Sequence, residues 1–213
     1  MKTTRWVVVG LALTVAVLLL CMGWDLPLAG WAAAHPSPRF GLFMERWGRS
    51  AATPLIVASA YVLVEAKTRR GHPLPAQLAA ATLSGLLIHT AVITNGLKLL
   101  MGRTRPMHLV EGPYTEWYQL NPSLGDFSFP SGHVAVAMVL VPAALVLWRS
   151  GRRGAGVAML LLSLIWAGVM AWGRIRHGAH FLTDTLASIG LGLTLAPLAL
   201  YPWRWTHRGE SQS

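Results

Sequence analysis

The chain has 213 residues, 54% of them apolar and 12% charged, with a mean hydropathy of +0.47 and a formal net charge of +10. So little charge cannot clothe a water-soluble surface, which points to an integral membrane protein. The positive balance does not indicate nucleic acid, because the basic residues stand in short clusters between apolar runs, and a single cysteine, Cys21, excludes a disulfide framework or a cysteine metal cage.

Trp6 to Met22 is an uninterrupted apolar run behind Lys2 and Arg5, long enough to cross a bilayer. It is expected to be retained. The small-residue stretch Ala32-Ala33-Ala34 lies too late for signal cleavage, and Leu20 before Cys21 fits a lipoprotein site poorly. Trp24 to Ser50, with Pro27, Pro36 and Pro38, is expected to be an external loop carrying a short interfacial helix around Phe40 to Arg49. Its Trp24, Trp31 and Trp47 suit the headgroup zone.

Thr53 to Ala66 is a second expected span, closed by Lys67, Arg69 and Arg70 and a turn at Pro73 and Pro75. Gln77 to Met101 is a third, interrupted by His89, Thr90, Thr94, Asn95 and Lys98. The stretch from Gly102 to Phe129 is a polar loop. Val134 to Trp148, Ala155 to Trp172 and Phe181 to Trp203 complete the set, and the tail from Thr206 is expected to be disordered. The result is one all-α, polytopic domain of six transmembrane helices, covering residues 1–213. Basic clusters at Lys2/Arg5, Lys67 to Arg70, Arg149 to Arg153 and Arg204/Arg208 fall on one side and put both termini in the cytoplasm.

That topology brings three polar clusters to the opposite, outer membrane face. Lys98 and, two turns on, Arg105 can point to one side of a helix. Pro130-Ser131-Gly132-His133 reads as a helix start, whose free backbone N–H groups form an anion site. Arg174, His180 and Asp184 follow the fifth span, with His180 and Asp184 one turn apart. The acids at this face are too few to neutralise Lys98, Arg105, Arg174 and Arg176 as buried pairs, whereas a phosphate would. Asp184 can hold one ring nitrogen of His180 and leave the other nucleophilic, with His133 as proton donor. His177, His180 and Asp184 as metal ligands is a rival reading, disfavoured because the surrounding cations repel a metal ion.

Lys98 to Arg105-Pro106, Pro130-Ser131-Gly132-His133, and Arg174 to His180 to Asp184 together resemble the three-part signature of the type 2 phosphatidic acid phosphatase (PAP2) superfamily. That superfamily includes membrane lipid phosphatases, glucose-6-phosphatase and vanadium haloperoxidases, and the resemblance covers about residues 77–200. It implies a PAP2/haloperoxidase-like helical core and a phosphohistidine on His180, oriented by Asp184. His133 would protonate the leaving oxygen, and Lys98, Arg105, Ser131, Gly132 and Arg174 would hold the phosphoryl oxygens. Gly173 stands where the family usually has Ser, and Arg176, His177 and Arg103 are candidate headgroup contacts. The expected activity is hydrolysis of a phosphomonoester or pyrophosphate on a membrane lipid, without metal or other cofactor. The candidates are phosphatidic acid, phosphatidylglycerophosphate, an isoprenyl pyrophosphate or a lipid A phosphate. Its partners are that lipid and the bilayer of the inner membrane. Lipid-to-lipid phosphotransfer is the alternative within the family, and a non-catalytic lipid-phosphate binder or transporter the alternative outside it.

Overall fold

A computed structural model describes residues 2–48, 50, 52–69, 73–109, 113–122 and 125–200. The expected disordered tail, the end of the sixth span beyond Leu200, and the basic residues Arg49, Arg70, Arg204 and Arg208 lie outside the described residues. The described secondary structure is helical: α1 (Lys2–Cys21), α2 (Asp25–Ala34), α3 (Pro38–Trp47), α4 (Ala52–Arg69), α5 (Pro73–Gly85), α6 (Asn95–Met101), α7 (Gly132–Ala137), α8 (Leu140–Arg149), α9 (Arg153–Arg176) and α10 (Leu182–Leu195). Four stretches, Thr3–Ala34, Leu74–His108, Gly132–Arg149 and Arg153–Arg176, are long and apolar enough to cross a membrane. With α4 and the shorter apolar α10 they make up the six-helix arrangement expected from the sequence.

The segment after Met22 departs from that expectation. Residues 25–34 are helical instead of looped, because after one 3-10 turn at Met22–Trp24 the chain resumes as α2. Alanine and leucine dominate it, and Pro27 sits in its first turn, where a proline costs no hydrogen bond. The interfacial helix is present as α3, with Pro38 at its start. Between α5 and α6 the helix widens into a π-helix over Leu86–Thr94, and the fourth span breaks between α7 and α8 around Met138 and Val139.

α7 and α8 form the centre of the bundle. Val134, Ala137, Met138 and Val141 pack against Ala167, Met170 and Ala171 of α9 and against Ala196. Inside a bilayer this packing cannot lean on water exclusion, so close backbone approach through small residues matters more. A Cβ on Gly156 of α9 would come within 2.9 Å of the Ala144 carbonyl, and one on Gly10 of α1 within 2.6 Å of Thr194 Oγ1 on α10. Ser163 Oγ donates to Ala137 O at 2.7 Å and so ties α9 to α7. α1 leaves Val8, Val9, Leu13 and Leu20 exposed, as a lipid-facing helix does. His89, in the π-helix, is buried beside Gly192 of α10 with no hydrogen-bond partner on either ring nitrogen.

Candidate active site

The polar ends of α6, α7, α9 and α10 are bound together by backbone bonds that the loops between them carry. Ser131 N donates to Asp184 O at 3.0 Å and Ser188 Oγ to Ser131 O at 2.8 Å, which sets the start of α7 on the start of α10. α6 ends at Gly102, in the left-handed conformation at φ +54°. A Cβ there would run into the Asn121 carbonyl, so glycine is the residue that lets the loop close. The turn after α9 passes through Gly178, also left-handed at φ +70°, with Ala179 N returning to Arg174 O at 3.0 Å. Met107 N then donates to Gly178 O at 2.8 Å, joining the loop after α6 to the turn that carries His180.

His180 stands in that turn, 3% exposed. Its Nδ1 lies 3.5 Å from Asp184 Oδ2, an ion-pair distance and longer than a formed hydrogen bond. Such contacts often tighten only when substrate is bound. Burial pushes the imidazole from its ordinary 6.5 down to about 4; Asp184 opposes the fall, and Lys98 and Arg174 add to it. The ring is therefore neutral near pH 7, the state a nucleophile needs, and Nδ1 faces Asp184, leaving Nε2 as the other ring nitrogen. Lys98 of α6 donates to Phe127 O, and Arg174 of α9 is buried within ion-pair range of Glu45.

Asp184 is held more firmly than its histidine. Its Oδ2 accepts from Ser128 Oγ at 2.5 Å and, at position N3 of α10, from Phe181 N at 2.7 Å. Its Oδ1 accepts from Arg103 at 2.6 Å. Here the sequence reading of Arg103 as a headgroup contact needs correction. Arg103 is 0% exposed, and its five donors go to the Thr115 carbonyl, Thr183 Oγ1, Asp184 Oδ1, Asp25 Oδ2 and Tyr114 Oη. The guanidinium also sits over the Phe181 ring, 4.2 Å from its centroid. A group so enclosed fixes the Asp184 carboxylate and has no face left for a headgroup.

The other proposed contacts are placed as follows. Arg105 reaches Asp126 through Nε, 3.4 Å from Oδ1, at the partly exposed rim. Ser131 Oγ is buried with no hydrogen-bond partner among the described residues, and Gly132 opens α7 beside it. His133 Nε2 lies 3.2 Å from the Glu45 carbonyl of α3, whose carboxylate contacts His177 Nε2 at 2.8 Å and Arg174 at 3.7 Å. Arg176 turns the other way, stacking 4.9 Å over Trp31 of α2, so the structure does not bring it to the His180 group. α3 thus covers the cluster. The glycine at 173 has a structural reason: a Cβ there would fall 2.8 Å from Met44 Cβ, the α3 side chain that occupies the space. Among the described residues no group of three His, Cys, Asp or Glu side chains gathers as a metal site.

Sequence reasoning missed Asp25, Ser128, Thr183, Asp126 and Glu45. Asp25 carried a usable signal, since an acid inside a stretch that is otherwise apolar from Trp6 to Ala34 demands a buried partner. Ser128 and Glu45 carried none, being ordinary polar residues of a polar segment.

A family model described as the PAP2 superfamily matches residues 75–208. A lipid A 1-phosphatase of Rhizobium johnstonii is 25% identical over 90% of this chain and 78% of its own length. An undecaprenyl-diphosphatase of Sulfolobus acidocaldarius is 25% identical over 75% of this chain and 67% of its own. The crystal structure of a transmembrane PAP2 type phosphatidylglycerolphosphate phosphatase from Bacillus subtilis superposes with a TM-score of 0.59 at 22% identity, covering 98% of both chains.

Proposed function

Because the chain belongs to the PAP2 superfamily, we propose that it cleaves phosphate from a membrane lipid by way of a phosphohistidine on His180. It is an integral membrane lipid phosphatase, and the finer reading concerns which atoms act. His180 Nε2 attacks phosphorus in line with the leaving oxygen; the P–O bond breaks, and His133 gives its proton to that oxygen. Water then attacks the phosphohistidine, passing a proton back to His133 and returning a neutral His180. Lys98, Arg105, Arg174, Ser131 and the Gly132 amide hold the equatorial oxygens, and Asp184 steadies the imidazole as it becomes cationic.

The observation that carries this reading is a buried neutral histidine beside a carboxylate already fixed by Arg103, Ser128 and the Phe181 amide, with Lys98 and Arg174 next to it. We place the protein in the inner membrane with cytoplasmic termini and the site at the outer leaflet, from the distribution of basic clusters. The substrate class is a lipid phosphomonoester or pyrophosphate. The named relatives include phosphatases and a diphosphatase, so both kinds of substrate belong in the test.

Phosphate release is measured on purified protein in detergent with phosphatidic acid, phosphatidylglycerophosphate, an isoprenyl diphosphate and lipid A, with vanadate as inhibitor and with excess chelator. At least one lipid is expected to turn over undiminished in chelator, and H180A to lose at least about a thousandfold. Full phosphate release by H180A would overturn the histidine mechanism. Label recovered in a second lipid instead of in inorganic phosphate would establish phosphotransfer.

A further inference from the structure

Arg103 is shared by two carboxylates from opposite ends of the chain. Asp25, at the junction of α1 and α2, is 0% exposed and accepts from Arg103 at 2.8 Å. It also accepts from Thr183 N at 2.9 Å and from Thr183 Oγ1 at 2.6 Å, one residue before Asp184. Two buried carboxyl groups therefore share one guanidinium, with His180 at the edge of the set. How the guanidinium's charge is distributed decides how strongly Asp184 attracts a proton on the imidazole.

We propose that Asp25 and Arg103 are positioning residues that set the basicity of the His180 nucleophile through Asp184. Asp25 draws part of the guanidinium's charge away from Asp184, and Arg103 and Ser128 limit how much of the Asp184 charge reaches His180. No general need of the fold explains the pairing. A buried ion cluster adds little stability over apolar packing of the same volume, and here it is aimed at the catalytic carboxylate.

The functional consequence rests on His180 being the nucleophile, but the electrostatic claim can be read directly. Besides Asp184, the charged groups acting on His180 among the described residues are Lys98 of α6 and Arg174 of α9; Glu45 of α3 faces Arg174 and also contacts His177, just past α9, and its carbonyl lies by His133 of α7. None is altered in the test. The full chain, labelled at histidine Cε1 with carbon-13, is titrated by NMR in detergent micelles, and H180A assigns the resonance. Replacing Asp25 by Asn leaves Arg103 wholly to Asp184, so the His180 midpoint is expected to fall by about half a pH unit or more. Replacing Ser128 by Ala removes a donor from Asp184 Oδ2, so the midpoint is expected to rise by a similar amount.

These opposite displacements are what a merely structural role would not give. Midpoints that stay put, or move together in one direction, overturn the proposal. Should Asp25→Asn not yield folded protein, the Ser128→Ala arm decides alone, and an unmoved or lowered midpoint there overturns it. The two readings part cleanly: an inactive H180A with unmoved midpoints sinks the electrostatic coupling alone, and an active H180A with opposed midpoints sinks the nucleophile alone.

Discussion

Two sets of arginines stand at the polar end of the bundle that holds His180 and Asp184, and they are built on opposite plans. Arg103 is sealed, with both its carboxylate partners 0% exposed and each at ion-pair distance, 2.6 and 2.8 Å. On the other side Arg105 meets Asp126 at 3.4 Å and Arg174 meets Glu45 at 3.7 Å, and the Glu45 side chain is 47% exposed. The sealed pairs cannot be exchanged for a ligand without leaving a buried charge alone. The Arg174–Glu45 pair can, since a carboxylate that exposed and that distant is easily replaced by a phosphate oxygen, whereas Asp126 is also tied by the Arg105 backbone N–H at 2.6 Å and by His108 at 2.9 Å. The difference separates a cation locked into the Asp184 network from the cations proposed to hold the substrate phosphate, although Arg103 and Arg105 stand only two residues apart in one motif.

The largest expected effect breaks the sealed side. Replacing Arg103 by Leu strands Asp25 and Asp184 in the interior, a loss of roughly 3–5 kcal/mol. It is checked by thermal unfolding in detergent, where the midpoint should fall by several degrees more than for an Arg105→Leu control at the half-exposed rim. Equal losses in the two variants would remove the distinction drawn here.

A smaller effect concerns His180 itself. Its titration point is about 4 when folded, against an ordinary 6.5, so the unfolded chain binds the proton first as pH falls. Stability from this group is complete above about pH 6.5 and is lost as pH drops toward 4, by about 2 kcal/mol between pH 7 and pH 5. Unfolding of the wild type and of His180→Gln at those two pH values tests the sign. The variant should lose less, and an identical loss would show that the buried ring does not titrate as placed.

Much of this contrast was beyond the reach of the sequence, for physical reasons. Lys98, Arg105, His133, Arg174, His180 and Asp184 could be picked because charge beside apolar runs is costly and their spacing follows helical turns, and the structure brings them to one end of the bundle. Arg103 could not be sorted from Arg105 by the same logic. The two differ only in which way the loop after Gly102 turns, and that depends on Asn121 and Thr115 from a segment without periodicity. The prolines and tryptophans of α2 signal an interfacial loop in sequence, while its alanines are equally fit for helix. The covering role of α3 was illegible for another reason: Glu45, Met44 and Gly41 meet α9 only through tertiary packing, where a Cβ on Gly41 would lie 2.8 Å from His177 Nδ1.

The smallest effect sharpens the loose side. If Glu45 occupies a place that a phosphate oxygen takes during the reaction, the carboxylate competes with substrate for Arg174 and His177. Substituting Glu45 by Gln removes the charge and keeps the shape, and the His133 contact is preserved because it is made to the backbone carbonyl. A partly exposed pair of this kind is worth about 0.2–1 kcal/mol, which corresponds to a fall in KM of roughly 1.5- to 5-fold with kcat little changed. Steady-state phosphate release at varied lipid mole fraction measures it. A rise in KM would instead make Glu45 a substrate ligand, an acceptor for a hydroxyl or amine beside the phosphate, and would move the boundary between holding and exchanging groups into α3 itself.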